Sequence, residues 1–240
     1  MLKGFELQMN QDVYGAIKAG LPIFIGYFPA ALAFGILSKT CMVSLLDCFL
    51  FSALVFAGAS QFIALNLLVT GMGFGGIVLT TLLVNFRHFL MSGYLATKIG
   101  KTPVKYIVPI AFGITDEVFS ILSFKTGKLT KTFIFILELS AYSAWVSGTL
   151  TGYILGGFLP DDLTKSMGVA LYALLVAILM PEIKKSSKAL VLAVSSALLN
   201  TILVNCDFLP AGWSIIVCIL TIAFAGMVIT NKKTTGKERL

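Results

Sequence analysis

Charge is what this chain has least of. Asp, Glu, Lys and Arg together make up 12% of its 240 residues, where roughly 25% is usual for a soluble domain, so the sequence cannot build a solvated globular surface. Histidine occurs once, at His88, which is too little for a metal centre. The four cysteines, Cys41, Cys48, Cys206 and Cys218, have no spacing that fits a metal or redox motif. They read as packing residues, with a Cys41–Cys48 disulfide as the alternative. No Walker-type phosphate loop occurs, which removes ATP as an energy source, and no cofactor is implied. Met1-Leu2-Lys3-Gly4-Phe5-Glu6 lacks the pattern of a cleaved signal peptide, so the N-terminus is expected to be retained. No basic stripe with interleaved aromatics is present. The net charge of +7 clusters beside helix ends, which fits an anionic lipid leaflet and argues against nucleic acid.

What remains is hydrophobic. Such residues make up 58% of the chain and the mean hydropathy is +0.95, the signature of an integral membrane protein with the lipid bilayer as its solvent. A crossing needs about 20 apolar residues for roughly 30 Å of hydrocarbon. Windows of that length fall near Ala16 to Leu37, Leu45 to Val69, Phe74 to Leu95, Tyr106 to Phe124, Thr132 to Phe158, Met167 to Met180, Ala189 to Val204 and Ala211 to Ile229. The expected fold is therefore all-α: a polytopic membrane protein of about seven or eight transmembrane helices, some interrupted, forming one domain over residues 1–240. The fourth window contains Pro109, Gly113, Asp116 and Glu117 and reads as a broken or re-entrant element. With eight crossings and the N-terminus inside, most loop and tail Lys and Arg lie on the cytoplasmic side. The connection with Lys98, Lys101 and Lys105 is the exception, and it becomes internal if the fourth element does not cross.

Leu82-Leu83-Val84-Asn85-Phe86-Arg87-His88-Phe89-Leu90 puts three strongly polar side chains in the middle of the third window. Ionised groups at membrane depth are expensive and usually face a protein interior or aqueous cavity, with a partner. Thr81, Asn85, His88 and Ser92 repeat at helical spacing and form one polar stripe, with Arg87 about a third of a turn away. An Arg87 that merely snorkels to the interface is the blander alternative. His88 suits hydrogen bonding or proton handling.

Two further runs break the apolar pattern. In Phe56-Ala57-Gly58-Ala59-Ser60-Gln61-Phe62, small residues permit close backbone approach, through either helix packing or a substrate-lining break, and the Gln61 amide needs hydrogen-bond partners. In Phe112-Gly113-Ile114-Thr115-Asp116-Glu117-Val118-Phe119, two adjacent carboxylates can hardly both stay ionised unless one meets a cation, for which Arg87 is the candidate. The same run could instead cap a half-helix, with Thr115 or Asp116 at its N-terminus. Pro22, Gly26, Pro29 and Gly35 interrupt the first window in the same manner, and interrupted helices are how transporters hold substrate or coupling ion. Glu138 shares a face with Tyr142, Trp145 and Thr149 but lies near the start of its window, where an interfacial position is the commoner outcome.

These runs together resemble the AzlC family, the large subunit of bacterial branched-chain amino acid exporters. The likeness is carried by Pro22 and Gly26, Ala33-Phe34-Gly35, the Phe56 to Phe62 run, the Leu-Leu-x-Asn-x-Arg-His pattern from Leu82 to His88, and Thr115-Asp116-Glu117. The resemblance implies efflux of leucine, isoleucine and valine, sometimes methionine, across the bacterial inner membrane. It also implies secondary, proton-driven antiport, a small hydrophobic AzlD-type membrane subunit as partner, and room for a homo-oligomer.

The residues agree without naming the substrate, since a zwitterion needs one cationic contact, one anionic contact and an apolar pocket. The expected substrate-binding set is Gly58, Ser60, Gln61, Asn85, Arg87, Thr115, Asp116 and Glu117, and the expected proton-coupling set is His88, Asp116 and Glu117. Two rivals remain. An intramembrane enzyme using His88 with Asp116 or Glu117 has no accompanying nucleophile motif or metal-ligand set, and a non-transporting scaffold would not need the charges.

Overall fold

The computed structural model describes residues 2–100, 102–127, 129–158, 186–206 and 213–235, with isolated positions between 176 and 184. Among these residues the protein is all-helical. The helices are α1 (Leu2–Thr40), α2 (Leu45–Leu50) continued by a π-helical turn (Phe51–Val55), α3 (Gly58–Val69), α4 (Phe74–Ile99), α5 (Val104–Gly113), α6 (Asp116–Phe124), α7 (Lys131–Gly156), α8 (Ser187–Asn205) and α9 (Trp213–Thr235). Four stretches are long and apolar enough to cross a membrane: Gln11–Thr40 and helices α4, α7 and α8. The bent pair α5–α6 is a fifth if it counts as one span. The sixth expected window, Met167 to Met180, lies almost entirely outside the described residues.

The residues group into two compact units, Met1–Phe62 with Asn85–Leu171, and Ile63–Val84 with Tyr172–Leu240. The second has a small core of Leu67, Met72 and Ile216, flanked by Ile63, Ile77, Leu83 and Ile215. There α9 packs on α8, bringing Gly226 against Leu192.

The first unit is built on α1 and α7, which run parallel. Their contacts advance together along both helices, from Gly15 at Phe133, through Gly20 at Ser140, to Gly148 at Phe28 and Gly152 at Leu32. A Cβ on Gly35 would sit 2.0 Å from the Thr149 carbonyl oxygen, and one on Gly152 would sit 2.0 Å from that of Leu32, so at these two positions the backbones touch. This corrects one expectation. Pro22 and Pro29 lie inside α1 without ending it, and Gly35 serves helix contact rather than a break. Neighbouring packing lets a membrane helix absorb the lost proline hydrogen bonds.

The second and fourth windows do break, and each break turns the chain back. In the second, Phe56 adopts a left-handed conformation at φ 43°, a cost of roughly 1–3 kcal/mol for a bulky residue. Tyr153 donates to the Val43 carbonyl, Ser52 meets Thr149, and Tyr142 donates to the Ala53 carbonyl, so the entering arm descends along α7. The departing arm climbs again. Gly58 lies on Trp145, Gln61 reaches Ser52, and Phe34 touches both Phe51 and Phe62.

In the fourth window α5 and α6 meet at 118° across Ile114 and Thr115. Tyr106 packs on Phe135 while Gly113 reaches Glu138, so α5 runs along α7 in α7's own direction. Lys98, at the end of α4, then donates to the carbonyls of Leu122, Ser123 and Lys125 at the end of α6. Since only four residues separate α4 from α5, this hairpin enters and leaves at one end of the unit. The two hairpins come from opposite ends, and their tips meet where Phe56 packs against Phe112 and both rings pack on Tyr142.

All four cysteines are free thiols, so no Cys41–Cys48 disulfide forms.

Candidate functional site

The site forms where α4 passes the tip of the second hairpin. Thr115 caps α6, its hydroxyl accepting from the Val118 amide at 3.4 Å, so Asp116 and Glu117 occupy the first turn, where the helix dipole favours negative charge. Arg87 Nη1 lies 2.7 Å from Asp116 Oδ2, the one ion pair among the described residues. The pairing follows from the cost of leaving either charge alone in lipid. Its setting differs from a buried pair, for the two side chains are 42% and 48% exposed in this chain. Glu117 turns elsewhere, accepting a hydrogen bond from the Tyr27 hydroxyl on α1.

The polar stripe of α4 lies on the packed side. Thr81, Asn85, His88 and Ser92 are half-buried, while Leu82, Phe86, Phe89 and Leu90 are exposed as a lipid-facing surface would be. Asn85 donates to Ser60 Oγ at 3.0 Å, and Ser60 in turn donates to the Ala57 carbonyl at 2.9 Å. Two stripe atoms, Asn85 Oδ1 and His88 Nε2, are buried with no partner among the described residues. Buried polar atoms normally have partners, and these two have donor or acceptor capacity left unused.

Gly58, Ser60 and Gln61 organise the first hairpin. The Gln61 amide oxygen accepts from the Ala57 N–H at 3.2 Å and the Trp145 indole N–H at 2.9 Å, and its nitrogen donates to Ser52 Oγ at 3.1 Å. Ser52 and Thr149 complete a buried chain at 2.8 Å. Gly58 has no side chain because the Trp145 ring fills that space. Thus Ser60 pairs with Asn85 and Arg87 pairs with Asp116, whereas Gln61 is satisfied by protein groups.

Reasoning from sequence missed Tyr27 and Ser52. Tyr27 stands between Gly26 and Pro29 and packs edge-on to Trp145 at 5.7 Å, and a lone tyrosine in an apolar window gave no signal beyond its hydroxyl. Glu138, expected near the interface, is buried at 5% exposure, its carboxyl group against Gly113.

Apolar helices long enough to span, together with two broken windows whose tips hold polar groups, define an integral membrane protein. The AzlC protein family model matches residues 22–159, and the chain belongs to this family. An uncharacterized membrane protein of Archaeoglobus fulgidus is 34% identical, covering 68% of this chain and 72% of its own length. The inner membrane protein YgaZ of Escherichia coli is 30% identical over 77% and 78%. The branched-chain amino acid transport protein AzlC of Bacillus subtilis is 28% identical over 76% and 74%. No solved structure matches.

Proposed function

We propose that this protein is a secondary exporter of branched-chain amino acids, leucine, isoleucine, valine and also methionine, that exchanges them for protons across the bacterial inner membrane. It works with a small AzlD-type subunit and is not an enzyme. The observation that carries this reading is the Arg87–Asp116 pair at the capped end of a half-helix. An amino acid can replace that pair group for group: its carboxylate takes Arg87, and its ammonium takes Asp116, with Glu117 beside it. Asn85 offers an unpartnered acceptor nearby, and Gly58, Ser60, Gln61 and Thr115 hold the two hairpin tips around it. The apolar cleft between α4 and α5, lined by Leu95, Ala96, Ile107, Ile110, Ala111 and Ile114, suits a branched side chain. Proton coupling belongs to the titratable groups of this neighbourhood, His88, Asp116 and Glu117.

In this reading the chain forms a single transporter domain and passes the membrane several times. Of the eight apolar windows, the second and fourth enter as re-entrant hairpins and the other six cross. The topology then obeys the positive-inside rule: both termini are cytoplasmic, Lys98, Lys101 and Lys105 lie inside, and only Lys39 and Lys165 lie outside.

The test is counterflow of labelled leucine in proteoliposomes, with and without the co-produced small subunit. Leucine-dependent counterflow that is lost in Arg87→Ala at matched abundance supports transport. Turnover of a membrane lipid without counterflow would support the enzyme, and neither would leave the scaffold.

A further inference from the structure

Of the carboxylates whose side chains are described, four have partners: Asp12 accepts from Thr130, Asp47 from Ser44, Asp116 from Arg87 and Glu117 from Tyr27. Glu138 has none. It is 5% exposed, and its Oε1 is buried without a hydrogen-bond partner among the described residues. It lines an apolar cleft with Phe112, Gly113, Phe135, Leu139 and Tyr142. The carboxyl group lies against Gly113, where a Cβ would come within 2.6 Å of the carboxyl carbon. Gly113 ends α5, two residues before the Thr115 cap and three before Asp116.

The titratable groups on the surrounding elements are otherwise engaged or distant. On α7, Tyr142 donates to the Ala53 carbonyl, and Lys131 lies over the Tyr106 ring, about 10 Å from Glu138 along the axis, as seven residues require. On α5, Lys105 also lies over Tyr106. Asp116 and Glu117 on α6 are held by Arg87 and by Tyr27 of α1, and Lys18 of α1 is exposed. An isolated carboxylate costs far more in such surroundings than the neutral acid does.

We propose that Glu138 is a further proton-binding group of the transport cycle, in addition to His88, Asp116 and Glu117, held as the neutral acid while the tip of the second hairpin closes on it and discharged when that tip moves. On discharge the proton passes from the carboxyl O–H to water, leaving a carboxylate that cannot stay against Gly113. Rebinding a proton restores the packed state. Because Gly113 and Asp116 share one short turn, protonation of Glu138 and occupancy at Arg87–Asp116 bias the same element, which is what coupling requires. The proposal rests on the transport reading above.

Two measurements test it, both on purified Glu138→Gln, which keeps shape and neutrality but cannot release a proton. In proteoliposomes the variant is expected to keep gradient-free leucine counterflow within about threefold and to lose uptake driven by an acid interior by about tenfold or more. Driven uptake equal to wild type overturns the proposal, and so does loss of both activities at matched abundance. Infrared difference spectra need no substrate: wild type should show a protonated-carboxyl band at neutral pH that Glu138→Gln lacks, and identical spectra overturn the proposal. If wild type shows no leucine counterflow, the transport reading fails, while the infrared comparison still decides the state of Glu138. Gly113→Ala, which pushes the carboxyl out of its seat, should weaken the same band, and an unchanged band counts against the proposal.

Discussion

Arg87 is where charge and function meet most closely. Among the described residues its guanidinium is paired only with Asp116, so Arg87→Ala removes the cationic contact and leaves the Asp116 carboxylate without its partner. Leucine counterflow should fall by about tenfold, the change expected when one hydrogen bond to a charged group, about 1.5 kcal/mol, is lost at a half-exposed site. Arg87→Lys keeps the charge but not the planar fork, and should recover only part of the rate. Asn85→Ala frees Ser60 from its donor and deletes the unpartnered Oδ1, so counterflow should drop while membrane abundance holds. Much of this was readable from sequence, because the cost of an unpaired intramembrane charge and the capping chemistry of Thr115-Asp116-Glu117 need no coordinates. Tyr27 was not readable, since its partner lies 90 residues away. The burial of Glu138 was not readable either, because what covers it is the tip of another element.

The helices carry a different lesson. Hydropathy windows report length and composition but not direction, so the second and fourth windows read as spans although each doubles back. The contacts that reveal the reversal, Gln61 to Ser52 and Lys98 to the end of α6, join side chains to distant partners. Cysteine labelling checks it in a background without native cysteines. Thr102→Cys and Thr126→Cys, at the two mouths of the second hairpin, should both react with a membrane-impermeant reagent from the cytoplasmic face. Met42→Cys and Thr70→Cys, flanking the first, should both react from the opposite face. A pair split between faces would mean that the element crosses. The α1–α7 contact gives a second prediction. Gly35→Ala and Gly152→Ala each force a Cβ into a carbonyl oxygen at 2.0 Å, and each should destabilise the protein by about 1–3 kcal/mol or more, seen as earlier thermal unfolding in detergent.

Within the first unit, the tips of the two hairpins lie together, and Asn85 and Arg87 of α4 reach Ser60 and Asp116 there, an arrangement of irregular backbone and charge that transporters use at their sites. The family relation extends over residues 22–159, which contain all of these groups. The central claim is that the Arg87–Asp116 pair stands in for the two charges of an amino acid. The most direct measurement is competition against labelled leucine counterflow in wild-type proteoliposomes, using analogues that lack one charge. Isoleucine and valine should compete, whereas leucinamide, without the carboxylate, and 4-methylpentanoate, without the amine, should compete at least about tenfold less well, each having lost one charged contact. Equal competition by either analogue would contradict the account.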